Sequence, residues 1–194
     1  MKTEHPILFS GPMVRAILEG RKTETRRIVK PQPGEAWHDI KCAYYTPGVI
    51  DSHGELQPGK MMFLVLQMKM KGGRFLGAPS NYLWVREAFY KDEVDGVYYK
   101  ADADEYEDYD PKEWRWKPSI HMPRHACRLL LQVEDIGVQR LQEITRAGIE
   151  AEGFSSMEDF IELWNALHKK DGWVFNKNPW VWVIKFKQVH AIKL

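Results

Sequence analysis

The chain has few cysteines, almost no net charge and no long apolar run. Its two cysteines, Cys42 and Cys127, lie far apart without metal-ligand spacing, which excludes a disulfide scaffold and favours a reducing, cytoplasmic setting. The formal net charge of +1 means that any nucleic-acid site must be a local patch, because the global charge gives no long-range attraction. No stretch approaches the ~20 apolar residues of a membrane span, so we expect no membrane partner.

Aromatic residues are the unusually abundant class. Eight Trp, eight Tyr and eight Phe make up 12% of the 194 residues. Many of them lie in strand-like segments, which favours a small barrel with aromatic packing. The length is suited to one domain over residues 1–194 with a substantial core.

The order of the predicted elements indicates an α+β domain built on a small, strongly curved sheet. Apolar or alternating segments predict strands at 6–9, 40–45, 61–68, 82–89, 127–134 and 179–186. Helical spacing predicts one helix from the N-cap Ser10 to Gly20, one from 141 through 149 that stops near Gly153, and one over 157–168. We interpret the second half of the acidic segment 92–113 as a solvated excursion, since clustered like charges repel.

The segment 17–27 is the most informative in the chain. Gly20 ends a predicted helix, and four cations with two threonines follow it at once: Arg21, Lys22, Thr23, Thr25, Arg26 and Arg27. A solvated helix end is one interpretation, because the helix dipole favours cations there. The other is a turn that binds an anion and in which Lys22, its pKa lowered by the neighbouring arginines, accepts a proton from Thr25. Such a pair suits hydrolysis of an amide or an ester.

Three further groups of residues are candidates. Trp84 and Arg86 share one face of a strand, where they either stack a base and grip a phosphate or pack as a structural Trp beside a salt-bridged Arg. The loop 117–125 either holds phosphate or is a solvated connection, and its candidate residues are Lys117, Ser119, His121 and Arg124. His121 and His125 are four residues apart, but no third ligand follows at the spacing of a metal site, so we expect no zinc. Glu152 precedes Gly153 at a helix end, where its carboxylate either leans over a pocket as the acid/base partner of Lys22 or is one more surface glutamate.

At these same residues the sequence resembles the ASCH-domain family of the PUA-like superfamily. The shared segments are ILEGRKTETRR at 17–27, YLWVREAF at 82–89 and LQEITRAGIEAEGF at 141–154. The phage- and prophage-borne branch is similar through KPSIHMPRHACRLLLQVEDI at 117–136 and NPWVWVIKF at 178–186. The resemblance implies a small, partly closed β-barrel flanked by helices, with a cleft between barrel and helices. It also implies RNA binding.

The resemblance also implies a catalytic set. Some small bacterial members are amidohydrolases that deacetylate N4-acetylcytidine, and Lys22, Thr25 and Glu152 match their working lysine, threonine and glutamate. Lys22 would activate Thr25, Thr25 would attack an acyl carbon, and Glu152 would manage protons at the leaving amine. This chain is longer than those members, with added material near 30–60 and 90–120 that would reshape the mouth of the cleft.

Three functions are therefore open. One is an RNA- or nucleoside-binding module that uses the cationic and aromatic candidates Arg21, Arg26, Arg27, Trp84 and Arg86. Another is an amidohydrolase acting on an acylated pyrimidine nucleoside. The third is a ribonuclease, in which Lys22, Glu152 and His121 would supply the acid and the base. We expect no cofactor for any of them.

Overall fold

The computed structural model describes residues 4–30, 32, 43–44, 49–50, 56–57, 82–92, 96–107, 109–112 and 114–191. The strand predicted at 61–68 and most of the segment near 30–60 lie outside the described residues. The strands are β1 (Glu4–Leu8), β2 (Glu24–Ile28), β3 (Ala43–Tyr44), β4 (Val49–Ile50), β5 (Leu56–Gln57), β6 (Tyr82–Arg86), β7 (Phe89–Lys91), β8 (Val97–Tyr99), β9 (Leu129–Arg140) and β10 (Trp180–Ala191). The α-helices are α1 (Gly11–Leu18), α2 (Arg146–Ala151) and α3 (Met157–His168).

A six-stranded mixed sheet organises most of the described part of the chain, and β4–β5 and β7–β8 form two separate two-stranded sheets. The strand order of the six-stranded sheet is β1-β6-β9-β10-β2, and the short β3 also pairs with β9. β1 runs parallel to β6, and the other neighbours are antiparallel. The predicted α+β class is confirmed.

The sheet is open rather than closed into a barrel within the described residues, which corrects that part of the expected fold. Its two end strands, β1 and β2, do not form a ladder with each other there. They approach through a side chain instead, since the Arg27 guanidinium donates to the Leu8 carbonyl oxygen at 2.7 Å.

Two apolar cores lie on opposite faces of β10. Ile184 and Phe186 belong to the core under α1, whereas Val181 belongs to the core under α2 and α3. Side chains alternate between faces along a strand. Val181 and Ile184 are three residues apart, so their side chains lie on opposite faces of β10. This division matters for the site, because the side chains of β2 alternate between the same two faces at the edge of the sheet.

Several element boundaries differ from the prediction. The segment that precedes α2 is a 3₁₀ turn over Leu141–Glu143, and α2 begins only after Thr145, whose hydroxyl accepts from the Gly148 amide. Only residues 21–23 form the expected cationic turn, because Glu24–Ile28 pairs with β10 as a strand. β9 is longer than predicted, since its pairing with β10 continues to Arg140.

The acidic segment is not simply solvated. Its 3₁₀ helix Lys100–Glu105 buries Ala101 and Ala103, and Arg15 of α1 donates to the Ala101 carbonyl at 2.7 Å. Trp114 lies at the centre of a half-buried ring cluster whose other members are Tyr90, Tyr98, Tyr106, Tyr109 and Trp116. The interpretation as a solvated excursion is therefore wrong for Ala103, Tyr106 and Tyr109, whereas Asp104, Glu105 and Glu107 are exposed as expected.

An ionic network that is largely buried links this segment to the sheet. The Arg128 guanidinium bonds both carboxylate oxygens of Glu87, at 2.9 and 3.0 Å, and both oxygens of Asp102. It also lies 4.0 Å from the centroid of the Tyr99 ring. Glu87 is 1% exposed, so its charge depends on Arg128 for compensation.

Candidate functional site

The candidate site lies at the outer edge of β2, the edge that does not pair with β10. Thr25 pairs with Ile184 and therefore shares its face of the sheet, whereas Arg26 lies on the opposite face. The end of α2 docks against this edge, where the Thr23 amide donates to the Ala151 carbonyl at 2.8 Å. The edge is thus covered by a helix end, and the two cores meet there.

A pocket opens at this meeting point. Its cavity volume is only about 20 Å³, well below the about 300–1,000 Å³ found for ligand pockets, so a ring-sized ligand requires the walls to move apart. Its polar wall consists of Thr25, Arg26, Arg27 and Glu152. Its other wall is mainly apolar and aromatic, and consists of Met13, Phe154, Phe160, Leu163, Trp164, Leu167 and His168. A flat ring with a polar edge matches such a division.

Lys22 forms a buried ion pair with Glu152. The Lys22 ammonium donates to Oε2 of the Glu152 carboxylate and, at 2.8 Å, to the Glu152 backbone carbonyl. Their side chains are 0% and 4% exposed. Lys22 does not line the pocket itself, so Glu152 separates its ammonium from the pocket wall.

A second cation holds the other oxygen of the same carboxylate. Arg26 contacts Oε1 of Glu152 at 3.3 Å and the Gly148 carbonyl at 3.4 Å. Arg26 also contacts Glu24 at 3.3 Å on its other side. Both oxygens of Glu152 are therefore engaged by cations.

Burial lowers the pKa of Lys22, and the nearby Glu152 carboxylate opposes part of that effect. Arg27 and Arg26 add to the lowering through their positive charges. A lysine with a lowered pKa is nearer to the neutral form that accepts a proton. Arg26 and Arg27 lower the pKa of Lys22 as expected from the sequence, but burial lowers it more.

Thr25 lies on the same side of β2 as the Lys22 ammonium. Lys22 Nζ and Arg27 Cζ approach the Phe9 ring, at 5.7 and 5.2 Å from its centroid. Arg27 is two residues beyond Thr25 on the strand and therefore shares its face. Thr25 is 2% exposed and lines the pocket, so this corner combines a hydroxyl, a carboxylate and two types of cation.

A glycine allows the helix end to approach this closely. Gly153 has φ +90°, and a Cβ built on it would lie 3.0 Å from Ala16 Cβ and 3.2 Å from Lys22 Cβ. Gly172 has a similar φ of +74° but open space around it. The two positions separate the cost of backbone strain from the cost of crowding.

We expect Gly153→Ala to destabilise the fold more than Gly172→Ala. Left-handed backbone costs an alanine about 1–2 kcal/mol at either position, and crowding against two Cβ atoms adds about 1–3 kcal/mol at Gly153 only. Urea unfolding of both variants measures the difference. Equal free energies of unfolding would contradict the tight contact between this glycine and Lys22.

The structure brings together five of the residues proposed from sequence and places the others elsewhere. Thr25, Arg26, Arg27 and Glu152 line the pocket, with Lys22 directly behind. Arg21 is exposed, and its guanidinium donates hydrogen bonds to the Glu19 carboxylate and to the Gly153 carbonyl. The remaining candidates do not line the pocket, and they are Trp84, Arg86, Lys117, Ser119, His121 and Arg124.

Trp84 and Arg86 lie beneath the loop 117–125 rather than on an open face. Trp84 packs against a small core that includes Met122, with Arg86 and Arg124 at 5.3 and 6.0 Å from its ring centroid. Arg86 donates to the Ile120 carbonyl, and Arg124 forms a bidentate pair with Glu4. Among the described residues, no cluster of three or more His, Cys, Asp or Glu side chains is arranged to hold a metal ion.

The aromatic wall of the pocket was missed from sequence as a site. Phe160, Leu163, Trp164 and Leu167 have the spacing of an ordinary core-facing stripe on α3. Only part of that stripe is buried, since Trp164 is 5% exposed and Leu167 is 55% exposed. His168, which ends the helix beside them, was the available polar signal.

Comparisons with known proteins show a similarity of fold alone. No family model matches the sequence, and no curated protein matches it. A solved structure that is similar is protein EF3133 from Enterococcus faecalis V583, described with the family model DUF984. The TM-score is 0.50 at 9% sequence identity, and the match covers 100% of this chain and 85% of that chain. No helix in the described part of the chain has the length and apolar character needed to cross a membrane.

Proposed function

We propose that this chain is an ASCH-like protein of the PUA-like superfamily and an amidohydrolase that removes an acyl group from the exocyclic amine of a nucleobase. N4-acylated cytidine is the substrate class. The observation that carries the proposal is the buried Lys22–Glu152 ion pair behind a pocket that Thr25 also lines. A buried ion pair is weak support for stability, so its place beside a pocket favours a chemical role.

The proposed first step is attack by threonine. The Thr25 hydroxyl oxygen bonds to the acyl carbon, and its proton passes to the neutral amine of Lys22. The lowered pKa of Lys22 makes that form accessible. The tetrahedral intermediate then collapses, the C–N bond breaks, and the leaving exocyclic amine takes the proton of Lys22 through the Glu152 carboxylate, which bonds Lys22 and lines the pocket. The acyl group remains on Thr25 as an ester.

The contacts of Glu152 suit a positioning role in this step. Its two oxygens are held by Lys22 and Arg26, so the carboxylate fixes the lysine and shares its proton. The aromatic wall would stack the nucleobase, with Trp164 and Phe160 as the central rings. Arg27, at the polar wall, would bond the oxygen that becomes negative during attack.

The test is hydrolysis of N4-acetylcytidine by the purified protein, followed by release of cytidine. We expect Thr25→Ala to give no product above background, because it removes the nucleophile. Thr25→Ser keeps a hydroxyl and is expected to retain measurable turnover. Full activity in Thr25→Ala would contradict the mechanism.

RNA binding is a second candidate function, and one observation favours it. Arg27 donates to the Leu8 carbonyl, and Leu8 lies beside Arg86 in the β1–β6 register. Arg27 also lines the pocket and, within the described residues, is not ion-paired with an acidic side chain, so its guanidinium is available to a phosphate there. A protein that hydrolyses no acylated nucleoside but binds RNA with strongly salt-dependent affinity would support this candidate instead.

A further inference from the structure

The acyl-threonine ester leaves one step without a base. A water must be deprotonated as it attacks that ester, within reach of Thr25. The Lys22 side chain is 0% exposed and lies behind the pocket wall. Both Glu152 oxygens already accept hydrogen bonds from Lys22 and Arg26.

His168 is placed where that base is needed. It ends α3, is half-buried, and lines the same pocket as Thr25. Its ring lies 4.4 Å from the Trp164 ring, centroid to centroid, with the planes tilted by 43°. Because Trp164 is itself 5% exposed, this contact holds the imidazole against a buried ring of the pocket wall.

The surroundings keep this imidazole in its basic form. Burial lowers the pKa of His168 below its ordinary value of 6.5, and the positive charges of Arg27 and Lys30 lower it further. Asp171 acts in the opposite direction, although Lys30 holds that carboxylate at 3.1 Å. The other charged residues on the pocket wall are Arg26 and Glu152, which bond to each other.

We propose that His168 is the general base that activates the water for hydrolysis of acyl-Thr25, an inference that rests on the function proposed above. The water oxygen bonds to the acyl carbon while the imidazole takes one of its protons. The C–Oγ bond then breaks, Thr25 Oγ recovers a proton from the imidazolium, and the acid leaves. No cofactor or further reactant is consumed.

The experiment is rapid-quench kinetics of His168→Gln with N4-acetylcytidine, with intact mass of the protein measured at each time point. We expect a burst of cytidine equal to the enzyme concentration and accumulation of protein that carries one acetyl group. Steady-state turnover should fall by ~10²–10⁴-fold, the usual contribution of a general base. The acidic limb that His168 imposes on the pH profile of turnover should disappear.

His125→Gln is the matched control, because His125 is exposed and lies outside the pocket. It should turn over normally without accumulating acyl-enzyme. His168→Gln that turns over like the unchanged protein, or that loses the burst together with turnover, would overturn the role of His168. An unchanged protein that releases no cytidine would overturn the proposed function, and this inference with it.

Discussion

Lys22→Met is expected to eliminate hydrolysis and to destabilise the protein by about 3 kcal/mol, because it leaves the buried Glu152 carboxylate with Arg26 alone. The proton acceptor for Thr25 is lost with the ammonium group. Activity should fall by ~10²–10⁴-fold or more. Cytidine release and urea unfolding measure the two effects separately.

The double variant Lys22→Met/Glu152→Leu separates chemistry from stability. Replacing both members of a buried pair with apolar residues of similar volume is often neutral or stabilising by about 1–4 kcal/mol. We therefore expect the double variant to recover most of the stability lost in Lys22→Met while remaining inactive. A double variant that hydrolyses substrate at the normal rate would show that the pair has no part in the chemistry.

Lys30→Met supplies the matched control for the same substitution. Lys30 pairs with Asp171 at 3.1 Å, but these side chains are 64% and 52% exposed. Exposed pairs are worth about 0–1 kcal/mol, so the variant should unfold near the concentration of urea that unfolds the unchanged protein. If Lys30→Met were as damaging as Lys22→Met, burial would not be the reason for the cost.

The parts of the fold that depend on local pattern were predictable. The amphipathic spacing over 157–168 gave the bounds of α3, Met157–His168, because an apolar stripe of period 3.6 is a strong signal. The alternation along β6 was also confirmed, since Leu83 and Val85 are both fully buried. Gly20 ends the first helical segment with a φ of +75°, as the C-terminal glycine predicted.

The parts that depend on long-range packing were not predictable. Residues 24–28 carry four polar side chains, and they form a strand because β10 pairs with one of its edges and α2 bonds the backbone of Thr23 just before it. The aromatic wall of the pocket lies where the two cores meet, and the apolar residues of α3 that form it have the spacing of an ordinary core-facing stripe. Lys22 and Glu152 are 130 residues apart, so the resemblance to a family, rather than any local pattern, placed them together.

The Arg128 network has the same long-range origin and leads to the second large effect. Arg128 lies 41 residues from Glu87 and 26 from Asp102, so nothing local identified it. Glu87 is 1% exposed and Asp102 has 16% of its side chain exposed. Loss of the guanidinium would thus leave one carboxylate with no access to water and another with partial access.

We expect Arg128→Met to destabilise the protein by about 3–5 kcal/mol at pH 8, the cost of breaking a buried ion pair. Arg124→Met is the matched control, because Arg124 also forms a bidentate pair, with Glu4, but both side chains are about 40% exposed. That variant should lose at most about 1 kcal/mol. Urea unfolding of both variants gives the comparison.

The dependence on pH follows from Glu87. Burial raises the pKa of Glu87 above its ordinary value of 4.5, and Arg128 opposes that rise. A carboxyl with a raised pKa binds its proton more tightly in the folded state, so stability falls as pH rises from about 4.5 through the folded pKa. Removing Arg128 raises the pKa of Glu87 further, which widens the pH range over which stability falls. The deficit of Arg128→Met should therefore be smaller at pH 5 than at pH 8.

Glu87→Leu in the Arg128→Met background tests the cause. Without the buried carboxyl, the stability difference between pH 5 and pH 8 should shrink, and part of the lost free energy of unfolding should return. A pH dependence that persists in full in the double variant would contradict Glu87 as its source. Hydrolysis should be unaffected in folded Arg128→Met, because none of the three charged residues lines the pocket, so this network stabilises the fold independently of the Lys22–Glu152 pair.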